Sequence, residues 1–167
     1  MWYAVEAGPG QEEAARQQLR GLVSRGFRGE CRVLYCVRKK RYLGQWHDER
    51  ERFLPGYVFF VTDESGGADA FMPEETVRAG LPGSSGLFAV RREEEELLIR
   101  LTGGNDMVGM SYGVICDGSL KIQEGVLRGL EGRVKKIDRH KRKGYIAMRL
   151  GDEEKMAEIG LEITEKT

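Results

Sequence analysis

The chain has 167 residues, room for one compact domain or two small ones, and at 40% hydrophobic it is not a disordered polymer. Its 27 basic residues balance its 27 acidic ones. No apolar run reaches the roughly 20 residues of a membrane span. Met1-Trp2-Tyr3-Ala4-Val5-Glu6 also lacks the basic-then-apolar layout of a secretory signal. These features exclude a membrane class and predict a soluble, cytoplasmic, monomeric protein. Three cysteines suit a reducing compartment better than a disulfide scaffold. Cys31 and Cys36 are expected on opposite faces of a strand-like stretch. With only His47 and His140 available, no zinc-ligand spacing exists. Neither a metal nor a cofactor is expected.

Trp2 to Val5 reads as a buried first strand, broken by Gly8-Pro9-Gly10. Gln11 to Val23 carries Ala14, Ala15, Leu19 and Leu22 near helical spacing, with Gly26 beyond its end. Val33 to Val37 predicts a second strand. The charged stretch from Arg38 through Arg52 predicts a long polar hairpin projecting from the sheet. Leu54-Pro55-Gly56 then turns into the apolar strand Tyr57 to Val61, where Val58 and Phe60 are the core candidates. Thr62 to Gly86 reads as loop, with a short helix interpolated around Pro73 to Ala79. Leu87 to Val90 predicts another strand. Arg92 to Leu101 predicts a helix with Leu97, Leu98 and Leu101 on one face. The expectation for residues 1–102 is an α+β domain, an antiparallel sheet with flanking helices.

Gly103-Gly104 marks the boundary, with a linker over 103–110 and a second domain over 111–167. There the pattern changes to short strands around 111–116, 120–122, 132–137, 145–150 and 159–163, punctuated by glycine. Five short strands in so few residues predict a small all-β barrel.

The zero net charge hides an uneven distribution. Between Arg128 and Arg149 stand nine basic residues and two acids, Glu131 and Asp138. A local surplus of this kind attracts phosphate. The strand-and-turn segment carrying Arg128, Arg133, Lys135, Lys136, Arg139, His140, Lys141, Arg142 and Lys143 is therefore the candidate RNA-binding element. Arg38, Lys39, Lys40 and Arg41 form a second basic run, read as an extension of the RNA contact, as a contact to DNA, or as a solvated hairpin. Lys143-Gly144-Tyr145 begins like an aromatic RNA-stacking signature, but Ile146-Ala147-Met148 does not continue it. Nucleophile elbows, phosphate-binding glycine loops and metalloprotease motifs are all missing, so no enzyme is expected.

Trp2-Tyr3, Gly10-Gln11 and Leu54-Pro55-Gly56-Tyr57-Val58 resemble the amino-terminal domain of NusG-type transcription elongation factors. Gly125 to Ile137 resembles a KOW motif, and Gly125 to Arg142 is most similar to the LoaP-type specialised paralogues, which act as antiterminators. The resemblance implies docking on the clamp helices of RNA polymerase through an apolar patch, here Tyr57 and Phe59 with Leu54 and Pro55 at its edge. It also implies a structured hairpin of the nascent leader transcript as the partner of the basic KOW domain. The alternatives are a general elongation factor coupling polymerase to the ribosome and a standalone RNA-binding or ribosomal KOW protein. The bland reading of Tyr57 and Phe59 is that they fill a core.

Overall fold

The computed structural model of the protein describes residues 1–22, 29–62 and 87–167. The helix interpolated around Pro73 to Ala79, and the loop containing it, lie outside the described residues. Strand β1 (Trp2–Glu6) runs antiparallel between β5 (Tyr57–Val61) and β6 (Leu87–Ala89), and β2 (Glu30–Arg32) pairs with the far edge of β5. The segment read as one second strand divides here. Val33 and Leu34 turn inward between β2 and β3 (Tyr35–Tyr42), both buried. β3 and β4 (Gln45–Arg52) form the expected hairpin in uninterrupted antiparallel register. A strand not foreseen, β7 (Met107–Val108), lies within the expected linker and pairs in parallel with β3.

Alternation along β1 and β5 splits the amino-terminal core in two. On one face, Tyr3, Val5, Val58 and Phe60 pack with Cys31, Val33 and Ala15 and Leu19 of helix α1 (Glu12–Leu22). On the other, Trp2, Ala4, Tyr57 and Phe59 pack with Leu97, Leu98 and Leu101 of helix α2 (Arg92–Thr102). Burying each of these leucines contributes about 2 kcal/mol relative to exposure. Glutamates 93 to 95 in the first turn of α2 and Arg100 in the last suit its macrodipole. Gly103, in the left-handed conformation, stops the helix by donating its N–H to Ile99 O at 2.9 Å.

Residues 111–167 form one five-stranded sheet in the order β10 (Val134–Asp138), β11 (Lys143–Leu150), β12 (Glu153–Lys166), β8 (Ser111–Cys116), β9 (Ser119–Glu124). β12 is longer than the sequence suggests. Residues 153–160 pair antiparallel with β11, and residues from Leu161 onward pair in parallel with β8. The expected barrel is not closed. β9 and β10 are the two edges of the sheet, and no ladder joins them among the described residues. Instead a 3₁₀ turn over Glu131–Arg133 leads into β10, and the Glu131 carboxylate accepts the Ile122 N–H of β9 at 3.1 Å. A side chain does there what a closing ladder would do.

The two parts share one apolar core. Leu127, Ile146, Met148, Leu150, Ala157, Ile159 and Leu161 of the carboxy-terminal sheet join the cluster that holds Trp2, Tyr57, Phe59 and the α2 leucines. The approach is close where β12 passes β3. A Cβ added to Gly160 would lie 2.5 Å from Val37 O and 2.2 Å from Met110 Sδ, so only glycine fits.

Candidate nucleic-acid interface

β10 and β11 form a hairpin whose turn carries the basic cluster. Asp138 Oδ1 accepts the Lys141 N–H at 3.0 Å, folding the turn back on itself. That backbone hydrogen bond, followed by the charges of Lys141, Lys143 and His140, holds the Asp138 carboxyl below its usual pKa. Arg142 closes the turn at φ 50°, a left-handed conformation rare outside glycine and asparagine. Its carbonyl accepts the Leu161 N–H at 3.0 Å.

The nine predicted RNA-binding residues divide into two groups. Lys135, Lys136, Arg139, His140 and Lys141 are exposed, and Lys136, Arg139 and His140 help line an open depression of about 500 Å³ on the hairpin. Lys136 also lies 5.6 Å above the Tyr145 ring. Arg128 is exposed too, with its carbonyl taken by Arg100 Nη2 at 2.6 Å.

The second group faces the protein. Arg133 approaches Glu94 at 3.6 Å and donates to Ala147 O at 3.3 Å. Lys143 is buried, with Nζ 2.6 Å from Glu158 Oε1. Burial works against its charge, but the contacts to Glu158 and Tyr145 outweigh it and raise the Lys143 pKa. Arg142 sits 3.4 Å from Glu162 and 3.8 Å above the Trp46 ring of β4.

The basic run on β3 is mostly neutralised. Arg38 is buried and reaches Glu158 Oε2 at 3.0 Å, Lys39 meets Asp48 at 2.8 Å, and Lys40 pairs with Glu51 and Glu49. Arg41 is exposed, makes no ion pair among the described residues, and stands directly across the hairpin from Trp46. Charges already paired with carboxylates add little to a field that phosphate would feel.

Of the predicted polymerase-binding residues, Pro55 alone is exposed. Leu54, Tyr57 and Phe59 are 4%, 5% and 0% exposed, inside the core shared by the two parts. The face assignment read from the sequence holds: Tyr57 and Phe59 share one side, with ring centroids 6.4 Å apart, and Val58 and Phe60 the other. What the sequence did not disclose is that the first side lies in a core shared by helix α2 and the carboxy-terminal sheet.

Glu12 fixes the turn before Tyr57. Its buried carboxylate accepts the N–H groups of Gly10 and Gly56 at 2.9 Å each and meets Arg52 Nε at 3.2 Å. Burial would raise its pKa, but the backbone N–H groups of Glu12, Gly10 and Gly56 and the Arg52 charge outweigh burial and lower it. Sequence reading missed Glu12, Trp46 and Glu158. Trp46 had a signal, as the one aromatic residue within the charged strand Gln45–Arg52. Glu12 and Glu158 had none, since an acid on a helix start or a strand surface is ordinary.

No group of His, Cys, Asp and Glu among the described residues is arranged to hold a metal ion. Nor, among those residues, is any helix long and apolar enough to cross a membrane. An α+β part followed by a sheet-rich part with a basic hairpin makes this a two-domain protein of mixed class. A family model described as "Transcription termination factor nusG" matches residues 1–96, more than half of the chain. The protein belongs to the NusG family of transcription factors, whose members are not enzymes. A solved structure described as "Domain interaction in Thermotoga maritima NusG" is similar at 18% identity and a TM-score of 0.48, over 97% of this chain and 93% of that one. No curated protein matches the sequence significantly.

Proposed function

We propose that the protein is a non-enzymatic antitermination factor, of the LoaP-like kind, that binds RNA polymerase through its amino-terminal domain and a structured leader RNA through its carboxy-terminal KOW-like domain. Family membership supports the polymerase partner. The observation that carries the RNA reading is the exposed hairpin turn Arg139-His140-Lys141, opening onto a depression with Lys136 at its side. Compact cations on a short exposed turn suit the phosphate backbone and leave base selection to an unpaired loop or bulge, because the major groove of A-form RNA is too narrow for side chains.

Suppression of pausing follows from differential affinity. A factor that binds the closed-clamp state of polymerase more tightly than the relaxed state shifts the enzyme toward elongation with no chemistry of its own. The aromatic pair Tyr57 and Phe59 offers large contact area at small rotamer cost. This pair lies in the core shared by helix α2 and the carboxy-terminal sheet, so docking on it requires that core to open.

The test is binding of the full chain, near physiological salt, to the leader transcript of its adjacent operon and to a scrambled hairpin. A preference of tenfold or more, about 1.4 kcal/mol, that weakens in Arg139→Ala and Lys141→Ala is the expected result. Equal, salt-sensitive binding to both RNAs returns the protein to the general elongation-factor class. Tyr57→Ala is expected to abolish capture by polymerase; undiminished capture would remove the aromatic face from the docking surface.

A further inference from the structure

Trp46 links the two basic runs of the sequence: it is the register partner of Arg41 and lies under the Arg142 guanidinium. Trp46 stands opposite Arg41 in the β3–β4 register, and the side chains of directly opposed residues share a face of the hairpin. The same ring carries the Arg142 guanidinium at 3.8 Å, from the turn that ends the β10–β11 hairpin. Arg41 therefore shares a hairpin face with the residue that Arg142 covers from across the seam between the two parts.

We infer that the RNA-binding surface is composite: it runs from Lys136, Arg139 and Lys141 on the carboxy-terminal hairpin, over Arg142 and Trp46, to Arg41 on the amino-terminal hairpin. This inference rests on the reading of the carboxy-terminal hairpin as an RNA-binding element. Its ligand is the phosphate backbone of a folded RNA, with the Trp46–Arg142 pair as a stacking and charge platform at the centre.

Three observations support it. Arg41 is the member of its run that is exposed and has no ion pair among the described residues, whereas Arg38, Lys39 and Lys40 face carboxylates. The cation without an ion pair is thus the register partner of the tryptophan that Arg142 covers. Arg142 is held at φ 50°, where glycine or asparagine would be at ease. A long cationic side chain placed there points to a use for its guanidinium, and Trp46 and Glu162 are the groups that orient it. Finally, the carboxylates of Glu162 and Asp48 are paired with Arg142 and Lys39, so neither offsets the unpaired charge of Arg41.

A composite surface exists only while the two parts are in contact. RNA bound across it therefore favours the contacting arrangement, and the Arg41 limb is given up when the parts separate. Cys36 provides a native reporter of separation, since its buried thiol lies in this seam, 3.7 Å from Glu158 O.

The experiment uses the full chain and the leader hairpin transcribed in vitro, with Arg41→Gln, Trp46→Phe, Trp46→Ala and Lys141→Ala variants. The composite surface requires Arg41→Gln to weaken RNA binding several-fold and to lower the slope of log affinity against log salt by about one. Trp46→Phe should retain more affinity than Trp46→Ala. In a Cys116→Ser background, RNA should slow thiol labelling of Cys36. If Lys141→Ala weakens binding while Arg41→Gln binds like the parent with an unchanged salt slope, the composite surface is wrong and the hairpin reading stands. Acceleration of Cys36 labelling by RNA would likewise overturn it. If no variant alters RNA binding, both readings fail together.

Discussion

The Arg142 guanidinium and the Trp46 indole, 96 positions apart in the chain, lie 3.8 Å from each other in a cation–π contact that joins the two parts of the protein. Partly buried contacts of this kind contribute about 1 kcal/mol. A further term comes from the backbone, because Arg142 holds a left-handed φ that alanine dislikes and glycine does not. Arg142→Ala is therefore expected to lower stability more than Arg142→Gly, by about 1 kcal/mol. Urea midpoints of the two variants check this, and equal midpoints would show that the left-handed backbone carries no strain.

Glu12 makes acid sensitivity predictable. Its folded-state pKa is lowered from 4.5, so its contribution is complete above that value and is lost as pH falls through the folded-state value. Glu12→Gln removes the charge from buried hydrogen bonds and should lower stability by about 1–3 kcal/mol at neutral pH. The gap between parent and variant should narrow in acid. Urea titrations at a series of pH values measure it; a gap independent of pH would contradict the assignment.

Two glycines in the carboxy-terminal sheet separate backbone strain from steric exclusion. Gly118 has φ 76° with open space around it, whereas a Cβ on Gly125, at φ 106°, would meet Ser111 Cα at 2.5 Å and Met110 O at 2.6 Å. Gly118→Ala should cost about 1 kcal/mol, the left-handed backbone term alone. Gly125→Ala should cost more than twice as much, because backbone must move as well. Thermal unfolding of the two variants distinguishes these expectations.

The thiols differ sharply in reactivity. Burial pushes Cys31 and Cys36 up to about 11, against the opposing influence of nearby arginines, while Cys116 is exposed. One thiol per chain should react quickly near neutral pH, and Cys116→Ser should remove that fast phase. Rapid reaction of Cys36 in the folded protein would contradict the burial of the seam.

Much of this was legible in the sequence because local rules and the fold agree. The Leu97, Leu98 and Leu101 stripe, the glycine stop at Gly103 and the alternation of Tyr57 to Phe60 all report their own environment. The length of β12 was not legible, because residues 153–158 are mostly charged and carry no apolar alternation until paired with β11. The division of the basic cluster was also hidden. Lys143 and Lys141 look alike in sequence, but Lys143 begins β11 and meets Glu158, whereas Lys141 lies in the turn and is exposed. The shared core could not be read at all, since an apolar strand face gives no sign of which partner covers it.

The place of β12 bears on the birth of the protein. The amino-terminal sheet has all its strands once residue 89 has emerged during synthesis, and α2 is complete by residue 102. The carboxy-terminal sheet has its central strand last, at residues 153–166, so β8 and β11 stay unjoined until then. Through that interval the cluster of Trp2, Tyr57, Phe59 and the α2 leucines lacks the carboxy-terminal residues that complete it. An incompletely covered apolar cluster on a nascent chain is a point where association with other chains competes with folding. The rate of translation across the last strands thus sets how long that competition lasts.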